Sequence, residues 1–352
     1  MKGHGFLKRL CAFILGAVFL VGGLFKLMDP VGSALVMESY FNFLHIGFLR
    51  GLATFAALFF NLLECFVGIC LISGIWVRVM RNVTLALLSL FTVLTLLLLI
   101  FNPDMDCGCF GEVVHMTHLQ SFLKNIVLLV IWTVAFVPYV RQHYRPLYRK
   151  IISGVACAFV AGFGIYSFMK LPLLDLTDLH TGKELEEGMI SIVDENGEYA
   201  DDRLLRGKVL LISSYDPSSV SEESIAEIRK LSGSAGLRSI VAASGDLELE
   251  DVTVYRADRR TLMSLNRANP GVSFISGGQI AQKWTAREFL SLDKEELSEI
   301  VKTDPSELVL DEAIDGRRRF EVFALVLFVM LLFCRKGRYI YVFNDIFTIF
   351  VN

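Results

Sequence analysis

The sequence predicts a polytopic α-helical membrane protein that carries a soluble α/β domain, and three observations predict it. The chain of 352 residues is 54% hydrophobic with a mean hydropathy of +0.53, too apolar for an ordinary soluble protein of this length. Five segments, at about 7–27, 48–73, 83–101, 122–140 and 151–169, each offer the run of roughly 20 apolar residues that a spanning helix needs. Between about 175 and 305 the long apolar runs stop and charge rises. The net charge is only −3, so nothing points to nucleic-acid binding.

The first span follows Met1-Lys2-Gly3-His4 and turns apolar at Leu10, with no small-residue cleavage site after the run. It reads as an uncleaved first helix rather than a signal peptide. A sixth segment, 320–334, is shorter. It either crosses a thin region with Arg319 and Arg335 snorkelling or lies at the interface.

Basic residues set the orientation. Lys2, Lys8 and Arg9 precede the first span, and Arg78 and Arg81 fill the turn between the second and third. Arg141, Arg145, Arg149 and Lys150 join the fourth and fifth, and Arg335, Lys336 and Arg338 follow the sixth. The loops at 29–46 and 102–119 contain no Lys or Arg. These basic segments share one side only if the N-terminus is cytoplasmic, as in a bacterial inner-membrane protein. Arg317, Arg318 and Arg319 would then lie outside, which a translocated domain of that size tolerates. The long segment 171–319 and the 102–119 loop are expected on the periplasmic face, where disulfides form and persist.

That loop reads Asp104-Met105-Asp106-Cys107-Gly108-Cys109-Phe110-Gly111-Glu112. Of seven cysteines, Cys11, Cys65, Cys70, Cys157 and Cys334 sit in apolar runs and read as small buried hydrophobes. Cys107 and Cys109 alone lie in a polar loop, separated by one glycine. A bridge across so short a ring is strained, and strained disulfides exchange readily. Three readings stand open: a redox-active pair, a structural staple of the loop, or a metal site completed by His115 and His118. The acidic neighbours Asp104, Asp106 and Glu112 argue against an activated thiolate.

Within the second span, Asn61 and Glu64 are one turn apart and share a face. An ionisable group at such depth points to function. The expected roles are a quinone or proton contact, with Lys26 at the end of the first span as counter-charge, or an inter-helix hydrogen bond.

The run Cys107-Gly108-Cys109-Phe110-Gly111, followed by Phe122-Leu123-Lys124-Asn125-Ile126, resembles the MauE branch of the DoxX-like membrane proteins. The run Gly22-Gly23-Leu24-Phe25-Lys26-Leu27-Met28-Asp29-Pro30 fits that group too, as does Glu64 with Gly68 and Gly74. The resemblance covers about residues 5–140. It implies a four-helix bundle and a part in periplasmic redox maturation of a partner protein. For the MauE branch it implies a link to methylamine utilisation. For the DoxX relatives it implies quinone-coupled sulfur oxidation.

From 175 to 305 the residues predict strands at 209–212, 239–243, 252–256, 272–275 and 279–284. Helices are predicted at 221–231 with Ser221 as N-cap, at 259–269, and at 292–302 with Ser291 as N-cap. This order resembles the thioredoxin fold, with Pro270 where that fold keeps its cis-proline. The place of its Cys-x-x-Cys reads Asp216-Pro217-Ser218-Ser219, and no cysteine occurs between Cys157 and Cys334. The domain is therefore expected to bind a client or partner rather than exchange disulfides.

The expected organisation is a four-helix membrane domain at 1–145, a fifth helix at 146–172, a periplasmic domain at 173–318, and a terminal helix and tail at 319–352. The tail from 339 is too short to span. The bilayer and a periplasmic protein are the expected partners. Cys107 and Cys109 are the expected reacting groups of a membrane thiol–disulfide or quinone-linked oxidoreductase; a non-enzymatic scaffold is the other reading.

Overall fold

A computed structural model describes residues 2–103, 105, 107–112, 116–137, 147–170, 172, 174–175, 177–247, 249 and 252–336. Asp104, Asp106, His115, Arg141, Arg145, Arg338, residues 138–140 of the fourth predicted span and the tail from 339 lie outside the described residues, as do the side chains of Lys2, Glu112, Arg335 and Lys336. The chain divides into two compact units, one of residues 1–168 with 321–352 and one of residues 169–320.

The first unit is helical. Its elements are α1 (Lys2–Met28), α2 (Pro30–Phe43), a 3-10 turn (Gly47–Leu52), α3 (Ala53–Ser73), α4 (Val77–Phe101), a short strand β1 (Cys109–Glu112), α5 (His118–Phe136) and α6 (Leu147–Met169). Among the described residues, five segments are long and apolar enough to cross a membrane: Phe6–Met28, Gly47–Ser73, Val77–Phe101, His118–Phe136 and Leu147–Met169. The protein is therefore a multi-pass membrane protein. The third span starts six residues before its predicted bound, because Arg78 and Arg81 occupy the first turns of α4 rather than a loop.

The 29–46 segment was expected as a loop and is largely the helix α2. Asp29 caps it, accepting from the Gly32 amide at 2.8 Å, and Pro30 fills its first position. Proline is pre-set for that position and loses no hydrogen bond there.

Helices α1, α3, α4 and α5 share a core that includes Leu15, Phe19, Cys70, Leu88 and Leu128. α1 and α3 pack closely because glycine lines the contact. A Cβ on Gly68 would fall 2.6 Å from the Leu20 amide nitrogen, and one on Gly23 2.6 Å from Cys65 Sγ. α6 carries Phe163, whose ring stacks on Phe323 with centroids 3.9 Å apart.

The second unit is a mixed α/β sheet. It contains α7 (Asp202–Leu205), β2 (Lys208–Ser214), α8 (Glu222–Ser234), β3 (Arg238–Ala243), β4 (Val254–Arg256), α9 (Arg259–Leu265), β5 (Gly271–Ser276), β6 (Gln279–Thr285), α10 (Ala286–Leu290) and α11 (Lys294–Lys302). α12 (Pro305–Lys336) begins in this unit and ends in the first. The strand order is β4-β3-β2-β5-β6. β2 pairs in parallel with β3 and antiparallel with β5, and β5 pairs antiparallel with β6.

Both faces of the sheet are covered, which explains the unbroken apolar run of β2. Val209 and Leu211 join one core with Ile192, Leu204 and Leu262. Leu210 and Ile212 join the other with Ile225, Ile228, Phe289 and Leu297. The Asn269–Pro270 bond is cis.

Two predicted helices are corrected. Residues 266–269 do not extend α9; Asn266 leaves the helix with extended backbone and spends its amide on Val272 O and Trp284 O. Ser291 is not the N-cap of the last predicted helix but the C-cap of α10. Asp293 caps α11 in a reciprocal pair with Glu296.

Candidate functional site

The loop between α4 and α5 folds back onto the helices. Asn102 ends α4 in the left-handed region, and Thr117 opens α5 through a reciprocal cap with Gln120. Gly108, between the two cysteines, sits at φ +62°, and a Cβ there would lie 2.4 Å from Val36 Cγ1 of α2. Glycine therefore serves two needs at once, a left-handed backbone and close approach to α2. The missed helix α2 also supplies Tyr40, whose hydroxyl donates to the Cys107 carbonyl at 2.9 Å.

The two cysteines are free thiols in unlike surroundings. Cys107 is 7% exposed, and its Sγ lies 2.8 Å from Ser121 Oγ on α5. Cys109 is partly exposed and hydrogen-bonds both Cys107 and the ammonium of Lys124. The hydrogen bond to Cys109 and burial push the Cys107 thiol up. The hydrogen bond from Cys107, then Lys124 and Lys26, pull Cys109 down against the effect of burial. Cys109 thus draws its lowering first from Cys107 and then from cations carried by two helices, Lys124 on α5 and Lys26 on α1.

The loop lines a cavity of about 270 Å³ in the helical unit. Besides both cysteines, its lining includes Lys26, Tyr40, Asn61, Glu64, Lys124 and Asn125. Lys26 Nζ stands 2.6 Å from Glu64 Oε1, with both side chains largely buried. Asn61 is 3% exposed, and its Nδ2 has no hydrogen-bond partner among the described residues. Gly22 joins the two halves of the site. A Cβ there would stand 3.5 Å from Glu64 Oε2 and 3.6 Å from the Cys109 carbonyl.

The structure therefore brings Cys107, Cys109, Lys26, Asn61 and Glu64 to one cavity. Sequence reasoning missed Tyr40, Ser121 and Lys124. Lys124 and Ser121 had a signal in their three-residue spacing, which puts both on one face of α5. His118 turns its ring to Asn102 Oδ1 at 3.2 Å and to the Met105 carbonyl at 2.9 Å. Among the described residues, no group of three His, Cys, Asp or Glu side chains is placed to hold a metal ion.

Residues 5–139 match the model of a family described as "Methylamine utilisation protein MauE". The match spans the α1–α5 part of the chain and none of the α/β unit. No curated protein and no solved structure matches the chain.

Proposed function

We propose that the protein is a membrane thiol–disulfide oxidoreductase of MauE type that supports oxidative maturation of a periplasmic partner. Cys107 and Cys109 are its reacting pair. One observation carries this reading: the dithiol, the Lys26–Glu64 ion pair and the Asn61 Nδ2, which has no partner among the described residues, all line one cavity.

The pair, once oxidised, takes two electrons from two client thiols and is left as the dithiol. Re-oxidation needs a two-electron acceptor that dissolves in the bilayer, and the quinone class fits. A quinone carbonyl accepts from Asn61, and the ring packs on the apolar walls. Two electrons and two protons leave the dithiol and appear on the quinol. The inner-membrane setting, the cytoplasmic N-terminus, the DoxX relationship and the link to methylamine utilisation belong to the same reading. So does the division into a four-helix domain at 1–145, a fifth helix, a periplasmic domain at 173–318 and a terminal helix.

The test uses the solubilised full chain, reduced and then offered a short-chain quinone. Thiol trapping should show loss of both free thiols at Cys107 and Cys109 together with quinol formation, and Cys109→Ser should abolish both. Quinol formation at the same rate in Cys109→Ser would refute the reading.

A second reading is a non-enzymatic assembly factor whose outer domain binds a partner. The α/β unit favours it. Its strand order suits a thioredoxin-like domain, yet no cysteine lies between Cys157 and Cys334. Asn269 instead ties down the segment after β2, accepting from the Tyr215 amide at 3.0 Å and donating to Ser219 Oγ at 2.8 Å. Cross-linking to a partner that survives loss of both Cys107 and Cys109 would favour this reading.

A further inference from the structure

We propose that Lys124 is a positioning residue that fixes the negative charge of the Cys107/Cys109 pair on Cys109, making Cys109 the sulfur that reacts first. Three geometric facts carry this. Ser121 and Lys124, three residues apart, present one face of α5 to the loop. That face sets a neutral hydroxyl 2.8 Å from Cys107 Sγ and an ammonium on the wall of the cavity that Cys109 also lines, where it favours the Cys109 thiolate. Lys124 is itself steadied over the Phe110 ring, its Nζ 4.8 Å from the centroid.

The thiols are therefore not equivalent. Cys107 is anchored by Ser121, by the Met116 carbonyl 3.9 Å from its Sγ, and by the Tyr40 contact to its own carbonyl. Cys109 gathers both the hydrogen bond from Cys107 and the nearby cation. The thiolate is the nucleophilic form of cysteine, so a cation at one sulfur of a pair selects that sulfur. The ionisation asymmetry stands apart from any client or acceptor. Its use rests on the redox reading above, in which Cys109 is the sulfur that meets the acceptor.

The experiment is site-resolved alkylation of the reduced full chain in its native membrane by iodoacetamide, from about pH 3.5 to about pH 9, a span that brackets ordinary and activated thiols. In the wild type, Cys109 should react about tenfold faster than Cys107 near neutral pH. Lys124→Met should raise the Cys109 midpoint by about one pH unit and so slow its alkylation up to about tenfold at pH values below the wild-type midpoint, while Lys124→Arg keeps that midpoint. Lys124→Gln is the second neutral variant and should shift the midpoint in the same direction. Cys65, 1% exposed, reports that the bundle is folded by staying unmodified.

An unchanged midpoint in both neutral variants, or faster reaction at Cys107, overturns the assignment. A shifted midpoint in a protein that fails the quinone assay leaves this assignment standing and sinks the redox reading alone.

Discussion

Lys26 on α1 and Glu64 on α3 meet at 2.6 Å inside the membrane-spanning bundle, with side chains 13% and 5% exposed. Two charges this deep are costly unless they compensate each other. Removing one partner strands the other. Glu64→Gln or Lys26→Met alone should therefore destabilise the solubilised protein by about 3–5 kcal/mol, and the double variant Lys26→Met/Glu64→Gln by clearly less than the sum. Thermal unfolding of the four proteins checks this. Additive losses would mean the pair does not act as a unit.

Gly108→Ala places a methyl group against Val36 and forces alanine into left-handed backbone. The conformational part costs about 1 kcal/mol, and the clash adds to it. The second substitution Val36→Ala should recover the clash and leave the conformational cost. Unfolding midpoints of the single and double variants separate the two contributions.

Gly68→Ala tests the close approach of α1 and α3. Its Cβ would fall 2.6 Å from the Leu20 amide nitrogen, backbone that can yield only if the helices move apart. A loss of about 1–3 kcal/mol is expected, the usual cost of overpacking. Gly154→Ala, on α6 with open space at its Cβ, is the control and should lose nothing, gaining up to about 1 kcal/mol from the better helix propensity of alanine.

The α/β unit should lose stability as pH rises. Burial and the neighbouring Asp175 carboxylate push Glu312 up to about 7 from 4.5, against the pull of Lys283. Thr181 and Glu288 also face it. A raised carboxyl pKa in the folded state gives stability that is full below 4.5 and lost as pH rises towards about 7. Glu312→Gln should flatten that slope, as read from denaturant unfolding of the full chain at pH values on either side of the window. An unaltered slope in Glu312→Gln would assign it to another group.

Much of this was legible in the sequence, for physical reasons that differ from place to place. The spans were readable because a bilayer demands long apolar runs. The Lys26–Glu64 pairing was readable because a deep charge needs a partner, and Lys26 was the cation nearest the outer end of the first span. The helix α2 was missed because its length suits no span, although Asp29-Pro30 is a helix-start signal in its own right. At α11, Ser291 and Asp293 are both good caps. The reciprocal Asp293–Glu296 spacing was the cue that separated them. The electrostatics of Cys109 were not legible. Asp104, Asp106 and Glu112 are its neighbours along the chain, whereas Lys26 and Lys124 reach it only through packing of α1 and α5.

The central claim is that Cys107 and Cys109 cycle between dithiol and disulfide. The most direct measurement traps free thiols rapidly in intact cells and reads both cysteines by mass shift. The account predicts two populations, reduced and bridged, whose ratio moves toward the reduced form when the acceptor supply is cut off. A pair found permanently bridged, or permanently reduced under both conditions, would contradict it.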